Sequence, residues 1–327
     1  MTIDAQILGA LRKTGDAAVS GAELSQKLGI SRAAIWSHIE ELRRFGYDIS
    51  ASPHTGYRLI SAPDILHADG LRSLLPERCL IGRDIRVFEE TASTNDIIEK
   101  LARDGVKEGV AVFAEAQTQG RGRLGRKWFS PARKGLWFSI LLRPDLRPQA
   151  ATQLTVAAAT ALARAIRSVT ELVPQIKWPN DLLINGRKTA GVLTELNAEL
   201  DHIKYIILGI GLDVNLETHD LPKDLRSIAT SLRIEARETI PRLELAAAIL
   251  REFEADYARI RLGRFAEISE EWEHQCTTLG RRVSIRMGDR VVTGRAESLD
   301  EDGALLVRTE HGRLERIIGG DVTMETK

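Results

Sequence analysis

Cysteine is nearly absent from this chain of 327 residues: Cys79 and Cys276 stand far apart. That excludes a disulfide framework and any paired-cysteine metal or redox motif. It is also the usage expected of a protein kept in a reducing cytoplasm. No apolar run approaches the 18 or more residues needed to cross a bilayer, so no membrane partner is expected. The opening Met1-Thr2-Ile3-Asp4-Ala5 lacks the basic start and apolar stretch of an export signal. Net charge is absent as well, with 46 Lys+Arg against 46 Asp+Glu. A nucleic acid could therefore be held only by a local basic face. Neither repeats nor low-complexity segments occur. What remains is ordinary for a folded protein: 43% hydrophobic and 28% charged residues. The length suggests about two domains at roughly 150 residues each.

The pattern along the chain divides into three regions and predicts an α+β protein. In the first, residues 1–62, Ile7, Leu8 and Leu11 form a short apolar face. Ser20 and Glu23 have capping-box spacing ahead of a helix that Gly29 ends. Ser31 then caps a second helix, Arg32 to Phe45, with Ile35, Ile39 and Leu42 on its apolar side. Tyr47 to Ile60 reads as two short strands around a Pro/Gly turn. Helix, turn, helix and β-wing is the order of a winged helix-turn-helix, whose second helix enters the major groove. Ser31, Arg32, Ser37 and His38 are the candidate DNA contacts. Seven cations against six acids leave this region only +1, so a protein-docking or purely structural unit is the alternative. Ala62-Pro63 reads as a linker.

Residues 63–276 mix strands and helices. The predicted strands are 110–116, 135–142, 181–185, 191–196 and 205–210; the predicted helices are 94–103, 151–169, 242–261 and 265–275. Asn185-Gly186 signals a type I′ hairpin. Hairpins interleaved with long helices favour an α+β arrangement over a doubly wound parallel sheet. Residues 277–327 hold only short strands with Gly turns, which predicts a small antiparallel barrel or sandwich.

The densest chemical signal is Gly120-Arg121-Gly122-Arg123-Leu124-Gly125-Arg126-Lys127-Trp128. Glycines alternate with cations and no acid intervenes. Such backbone can approach an anion closely, and guanidinium forks suit phosphate or carboxylate. The spacing is neither that of a Walker loop nor that of a dinucleotide-binding turn. A flexible basic surface loop is the alternative reading. Lys177-Trp178-Pro179-Asn180-Asp181 places an acid at a strand start, where Asp181 could hold Mg²⁺ or orient Lys177. A tight turn around a buried Trp explains the same residues. Lys188 opens a return strand, either facing a site or serving as a solvated edge lysine. Ser93-Thr94-Asn95 stands at a helix start and could simply cap it.

Together these segments resemble one family over nearly the whole chain: the biotin–protein ligases, in the bifunctional form that also represses the biotin operon. The Gly/Arg loop is similar to the family's biotin and adenylate loop, and Lys177 to Asp181 to its second signature. Gly186-Arg187-Lys188 with Ala190-Gly191, the Gly209-Ile210-Gly211 turn and Ala229-Thr230-Ser231-Leu232 match in order. Lipoate ligases share the fold but not this loop. The resemblance implies a winged helix-turn-helix, a central α/β ligase domain with a mixed sheet, and a C-terminal SH3-like β-barrel. It implies that biotin and ATP give biotinyl-5′-AMP, that a lysine of biotin carboxyl carrier protein takes the biotin, and that the adenylate is corepressor for a homodimer on operator DNA.

Matched residue by residue, the resemblance makes Ser93, Thr94, Asn95, Gln117, Arg121, Gly122, Arg123, Trp128 and Lys188 biotin-binding. Lys188 and Arg123 carry the catalysis; Lys177, Asn180 and Asp181 serve ATP, with Asp181 toward Mg²⁺. Two positions depart from the family's pattern. Leu124 stands where a further polar or basic residue is frequent, and Asp213 where an Asn is common. Two alternatives stay open at this point: a ligase whose winged helix only stabilises the fold, and a metabolite-sensing repressor without catalysis.

Overall fold

The computed structural model describes residues 1–324. The last three residues of the region 277–327 therefore lie outside the described residues. In the N-terminal unit, α1 (Ile3–Lys13), α2 (Gly21–Leu28) and α3 (Arg32–Arg44) precede β1 (Asp48–Ser52) and β2 (Gly56–Ser61). The Ser20 and Ser31 hydroxyls accept from the amides of Glu23 and Ala34, and Gly29 ends α2 at φ 68°. These are the start and stop signals read in the sequence. Ile7, Leu11, Leu24, Ile35, Ile39 and Leu42 form a separate small core. Val19 and Tyr57 exchange both backbone hydrogen bonds at 2.8 Å, which pins the wing beside α2. Gly56 makes this possible: its φ is 103°, and a Cβ there would stand 2.1 Å from the Val19 carbonyl oxygen.

The middle of the chain contributes α4 (Ala68–Ser73), β3 (Asp84–Thr91), α5 (Thr94–Arg103), β4 (Val110–Gln117), β5 (Gly135–Leu142), α6 (Thr152–Val169), β6 (Gln175–Lys177), β7 (Asp181–Ile184), β8 (Arg187–Glu199), β9 (His202–Asp213), α7 (Leu232–Ala236), α8 (Arg242–Arg261) and α9 (Phe265–Gln275). The seven strands run in the order β3-β4-β5-β9-β8-β7-β6. Only β3 and β4 are parallel, joined by the α5 crossover; the other pairs are antiparallel. The sheet is therefore mixed, as expected. β5 is buried along its whole length, so it reads as a continuous apolar run and not as an alternation. One face of the sheet packs on α6, α8 and α9, and α5 covers part of the other. Alanines 157–159 of α6 and 246–248 of α8 are buried in the same core.

One expectation needs correction here, and two strands went unread. Gly209-Ile210-Gly211 is not a turn but lies inside β9, which runs on to Asp213. β3 and β6 went unread, because β3 is only partly buried and β6 is three residues long. The C-terminal strands β10 (Arg282–Met287), β11 (Arg290–Leu299), β12 (Leu305–Arg308), β13 (Leu314–Ile317) and β14 (Asp321–Met324) form one antiparallel sheet in the order β13-β12-β11-β10-β14. Its apolar face, including Val283, Ile285 and Val307, belongs to the same core as the central sheet. No helix of the described residues is long and apolar enough to cross a membrane.

The segment read as a linker is anchored by a buried cation. Arg242 of α8 is fully buried; it donates to Glu115 of β4 (2.6 Å), to the Asp64 carboxylate (3.0 Å) and to the Asp64 carbonyl (2.8 Å). Glu115 also accepts from the Leu66 amide at 2.8 Å. Removing one member of such a group leaves buried charge uncompensated. Arg242→Ala should therefore cost about 3–5 kcal/mol of stability, read as a lower denaturant midpoint; a shift under ~1 kcal/mol would refute this account.

Candidate active site

Three alternate residues on one face of β9 organise the site: Gly209, Gly211 and Asp213 all line a cavity of about 590 Å³. The loop from Gln117 to Ser130 lies over it. Every ligand-site residue expected from the sequence lines that cavity: Ser93, Thr94, Asn95, Gln117, Arg121, Gly122, Arg123, Trp128, Lys177, Asn180, Asp181 and Lys188.

At the Gly209 end the polar groups hold one another. Gln117 accepts from the Thr94 amide (2.9 Å) and donates to Ser130 Oγ (3.0 Å). The Thr94 hydroxyl lies 2.6 Å from that of Ser139, which in turn donates to Asn95. Asn95 donates to Glu195 at 2.6 Å. A Cβ on Gly209 would come 2.5 Å from Asn95 Oδ1, so only a bare backbone admits this side chain. Ser93 occupies the N-cap position of α5 but makes no capping hydrogen bond through its side chain. The simple capping explanation therefore fails, and its buried hydroxyl is left to the cavity.

Trp128 lies on a shelf of glycine. Gly191 and Gly211 face each other across β8 and β9. A Cβ on either would come within 3.0 Å of the indole, at 2.5 Å in the case of Gly211. The Trp128 Nε1–H is buried without a partner among the described residues. The Lys188 ammonium, beside Gly191, sits 5.1 Å from the ring centroid, a cation–π contact.

A bulge aims Lys188 at this ring. In the β7–β8 ladder Leu183 pairs with Lys188 but Leu182 with Ala190, so Thr189 is extra. Lys188 and Gly191 then face the same side, which plain alternation forbids. The displaced backbone of Lys188 pairs instead with Ile228 and Thr230, both at 2.8 Å. The Asn185-Gly186 turn that precedes it has φ 51° and 77°, the expected hairpin signature. Lys188 Nζ lies 2.6 Å from Asp181 Oδ1. Asp181 is thus the partner of Lys188, not of Lys177. The edge-lysine reading is excluded, because the side chain lines the cavity.

The Gly/Arg loop is an ordered turn. Gly122 donates to the Arg126 carbonyl (2.6 Å), Arg126 to that of Arg123 (3.2 Å), and Trp128 to that of Gly120 (2.8 Å). Leu124 takes φ 57° and is exposed. Arg121 meets Asp96 at 2.6 Å and Glu195 at 3.6 Å. Burial opposes its charge, but those two acids outweigh it and raise its pKa. Arg123 donates to Asn180 at 3.0 Å. Burial lowers its pKa, and Asp181 and Asp321 offset this only in part. Arg126, not singled out in the sequence, reaches Asp321 of β14 at 2.6 Å. Ser139 and Glu195 were also missed, since nothing in an isolated strand marks which face a Ser or Glu takes.

In the winged helix, Arg32 and Ser37 are exposed on α3, as a groove-reading helix needs. Two expectations change. The Ser31 oxygen already serves as helix cap. His38 Nδ1 lies 2.7 Å from Asp4 of α1, so one nitrogen of its ring braces two helices and only Nε2 is left to face outward. Trp36, 59% exposed beside Arg32 and Ser37, was overlooked; its neighbour Ile35 is core, and an odd large aromatic on the polar face was the available signal.

Comparison with known proteins agrees with this layout. Residues 87–213 match the biotin/lipoate A/B protein ligase family, residues 4–58 an HTH domain, and residues 278–324 the biotin protein ligase C-terminal domain. The bifunctional ligase/repressor BirA of Bacillus subtilis is 37% identical over 323 residues, 99% of each chain. That of Escherichia coli is 32% identical over 308 residues, 94% of this chain and 93% of its own. The biotin protein ligase of Aquifex aeolicus, solved with biotin and ATP, superposes with a TM-score of 0.64 at 30% identity, covering 75% of this chain and all of the other. A helix-turn-helix, a catalytic sheet with its glycine shelf, and a C-terminal sheet in one continuous chain place this protein in the biotin–protein ligase family, among the bifunctional ligase/repressors.

Proposed function

We propose that this chain joins biotin to ATP, transfers the biotin to a carrier-protein lysine, and represses transcription while it holds the adenylate. One observation carries the reading: Lys188, paired with Asp181, is held by a bulge beside Trp128 in the same cavity as the buried Ser93–Asn95 and Gln117 cluster. In the first step the biotin carboxylate attacks the α-phosphorus of ATP. The bond to the β-phosphate breaks, leaving biotinyl-5′-AMP and pyrophosphate. In the second, the uncharged amine of a lysine on biotin carboxyl carrier protein attacks the acyl carbon. An amide forms, AMP departs, and the amine gives up a proton. The difficulty of the first step is repulsion between two anions, which fixed cations relieve.

Ser93, Thr94, Asn95 and Gln117 supply the hydrogen bonds for the polar biotin head. Trp128 covers the ligand and keeps water from the anhydride. Lys188 stabilises charge developing on the carboxylate and phosphate oxygens, and Arg123 retains the adenylate. Lys177, Asn180 and Asp181 serve the triphosphate. Asp181 is a hard oxygen donor on the cavity wall. It suits a Mg²⁺ that arrives with the nucleotide and keeps most of its waters; the ion would neutralise phosphate charge. In the cytoplasm, the liganded chain acts on operator DNA as a homodimer, whose two α3 helices read two half-sites.

Lys188→Ala should lower pyrophosphate release by roughly 100-fold or more; a rate near wild type refutes its role. Arg123→Gly should let adenylate escape, seen as biotin on unrelated lysines of a bystander protein. Arg32→Ala should weaken operator binding by roughly tenfold at fixed salt, in a gel shift with biotin and ATP present. Wild-type protein that shifts no operator under those conditions would leave a ligase with a purely structural winged helix.

A further inference from the structure

A histidine stands where the winged helix meets the central domain. His67 is the N-cap of α4, and its Nδ1 accepts from the Gly70 amide at 3.2 Å. Its Nε2 is hydrogen-bonded to the hydroxyl of Tyr47, which lies between α3 and β1. Tyr47 is only 2% exposed and belongs to the small core of the winged helix, whereas Leu71 of α4 belongs to the central core. The Phe45 ring stacks on the imidazole, 5.7 Å between centroids and 8° between planes. Gly70 makes room for this arrangement: a Cβ there would stand 2.6 Å from His67 Nε2 and 2.7 Å from the Tyr47 hydroxyl.

The two hydrogen bonds fix where the ring carries its proton. Because Nδ1 accepts, the neutral imidazole has its hydrogen on Nε2 and donates it to the Tyr47 oxygen. A second proton has only Nδ1 to occupy, where it faces the Gly70 N–H, donor against donor. The charges around the ring come from α1, α4 and α8. Arg12 of α1 holds Glu244 of α8 at 2.9 Å, and Asp69 of α4 accepts from the Thr2 hydroxyl that caps α1. Burial lowers the His67 pKa below the ordinary histidine range; Asp69 offsets this only in part, and Arg12 adds to it. Tyr47 stays a neutral phenol, pushed up to about 12 by burial.

We propose that His67 is an acid-sensitive clasp: its neutral ring holds the winged helix on the catalytic domain, and a proton on Nδ1 opens this joint and weakens operator binding. The effect on DNA rests on the reading of the chain as a repressor; the clasp itself does not. Opening the joint is linked to uptake of one proton. Above a pH of about 6.5 a free imidazole is neutral, and opening gains nothing from protons. Below it, the open chain binds a proton that the closed chain refuses. The ratio of closed to open chain then falls by up to about tenfold per pH unit, until the lower pKa of the closed state is reached. A winged helix released from the joint loses the fixed placement that sets two α3 helices on two half-sites.

Hydrogen exchange of full-length wild type, H67N and G70A, followed by mass spectrometry between about pH 7.5 and 5.5 and corrected for the intrinsic pH dependence of exchange, tests the clasp. Asn at the N-cap keeps an acceptor for the Gly70 amide but does not titrate. Peptides over residues 66–75 should lose protection below a pH of about 6.5 in wild type and keep it in H67N. G70A, whose methyl group displaces the ring, should show the acid pattern already at about pH 7.5. Operator binding, read by fluorescence anisotropy with biotin and ATP at fixed salt, should weaken in wild type by up to about tenfold between roughly pH 6.5 and 5.5 and stay level in H67N; His38 and His54 are common to both. The clasp is overturned if wild type and H67N share one exchange profile, or if G70A is as protected as wild type at about pH 7.5. An exchange response with a shared operator profile overturns its link to DNA. Wild type that binds no operator at any pH refutes the repressor reading instead, and exchange still decides the clasp.

Discussion

Positive charge gathered at one end of a sheet repels itself, and the structure pairs three of the cations there with carboxylates. Lys188 has Asp181, Arg121 has Asp96 and Glu195, and Arg126 has Asp321. Arg123 is the most desolvated of the loop arginines and shares the fields of Asp181 and Asp321. The acids come from α5, β7, β8 and β14, so the cavity is held together by elements distant in sequence. Exposed ion pairs contribute little. Of these pairs only Lys188–Asp181 stands partly buried, so the others are readily exchanged for the anionic groups of a ligand.

Much of this was legible before any coordinates. Capping at Ser20 and Ser31, the Asn185-Gly186 hairpin and the long helices follow from local chemistry, and local chemistry is what a sequence exposes. The Gly/Arg loop and the Lys177–Asp181 stretch were legible as anion chemistry because few other functions tolerate so many cations beside glycine. Their assignment to biotin and ATP came from the family resemblance. Long-range geometry was not legible. The partner of Asp181 depends on a bulge in another strand. The glycines of β9 read as a turn because Gly is far commoner in turns than under a tryptophan. His38 read as a groove residue because its pairing with Asp4 is set by how α1 packs on α3.

The domains are less independent than the division into three regions suggests. The winged helix has its own core, yet the segment that leaves it is held through Asp64 to Arg242 and Glu115. Glu115 lies on β4, two residues before Gln117. The C-terminal sheet shares its core with the central one, and its last strand supplies Asp321 to the ligand loop. The segment after the winged helix, the Gly/Arg loop and the final strand are thus all tied to the central sheet.

The extra residue at Thr189 carries an evolutionary consequence. Its side chain is buried, and it matters mainly as a spacer that sets which way Lys188 points. A codon lost between Lys188 and Gly191 would restore regular alternation and turn the ammonium to the opposite face of the sheet. Drift in this hairpin is therefore confined to exchange of one side chain for another, and its length is as constrained as any single residue of the site.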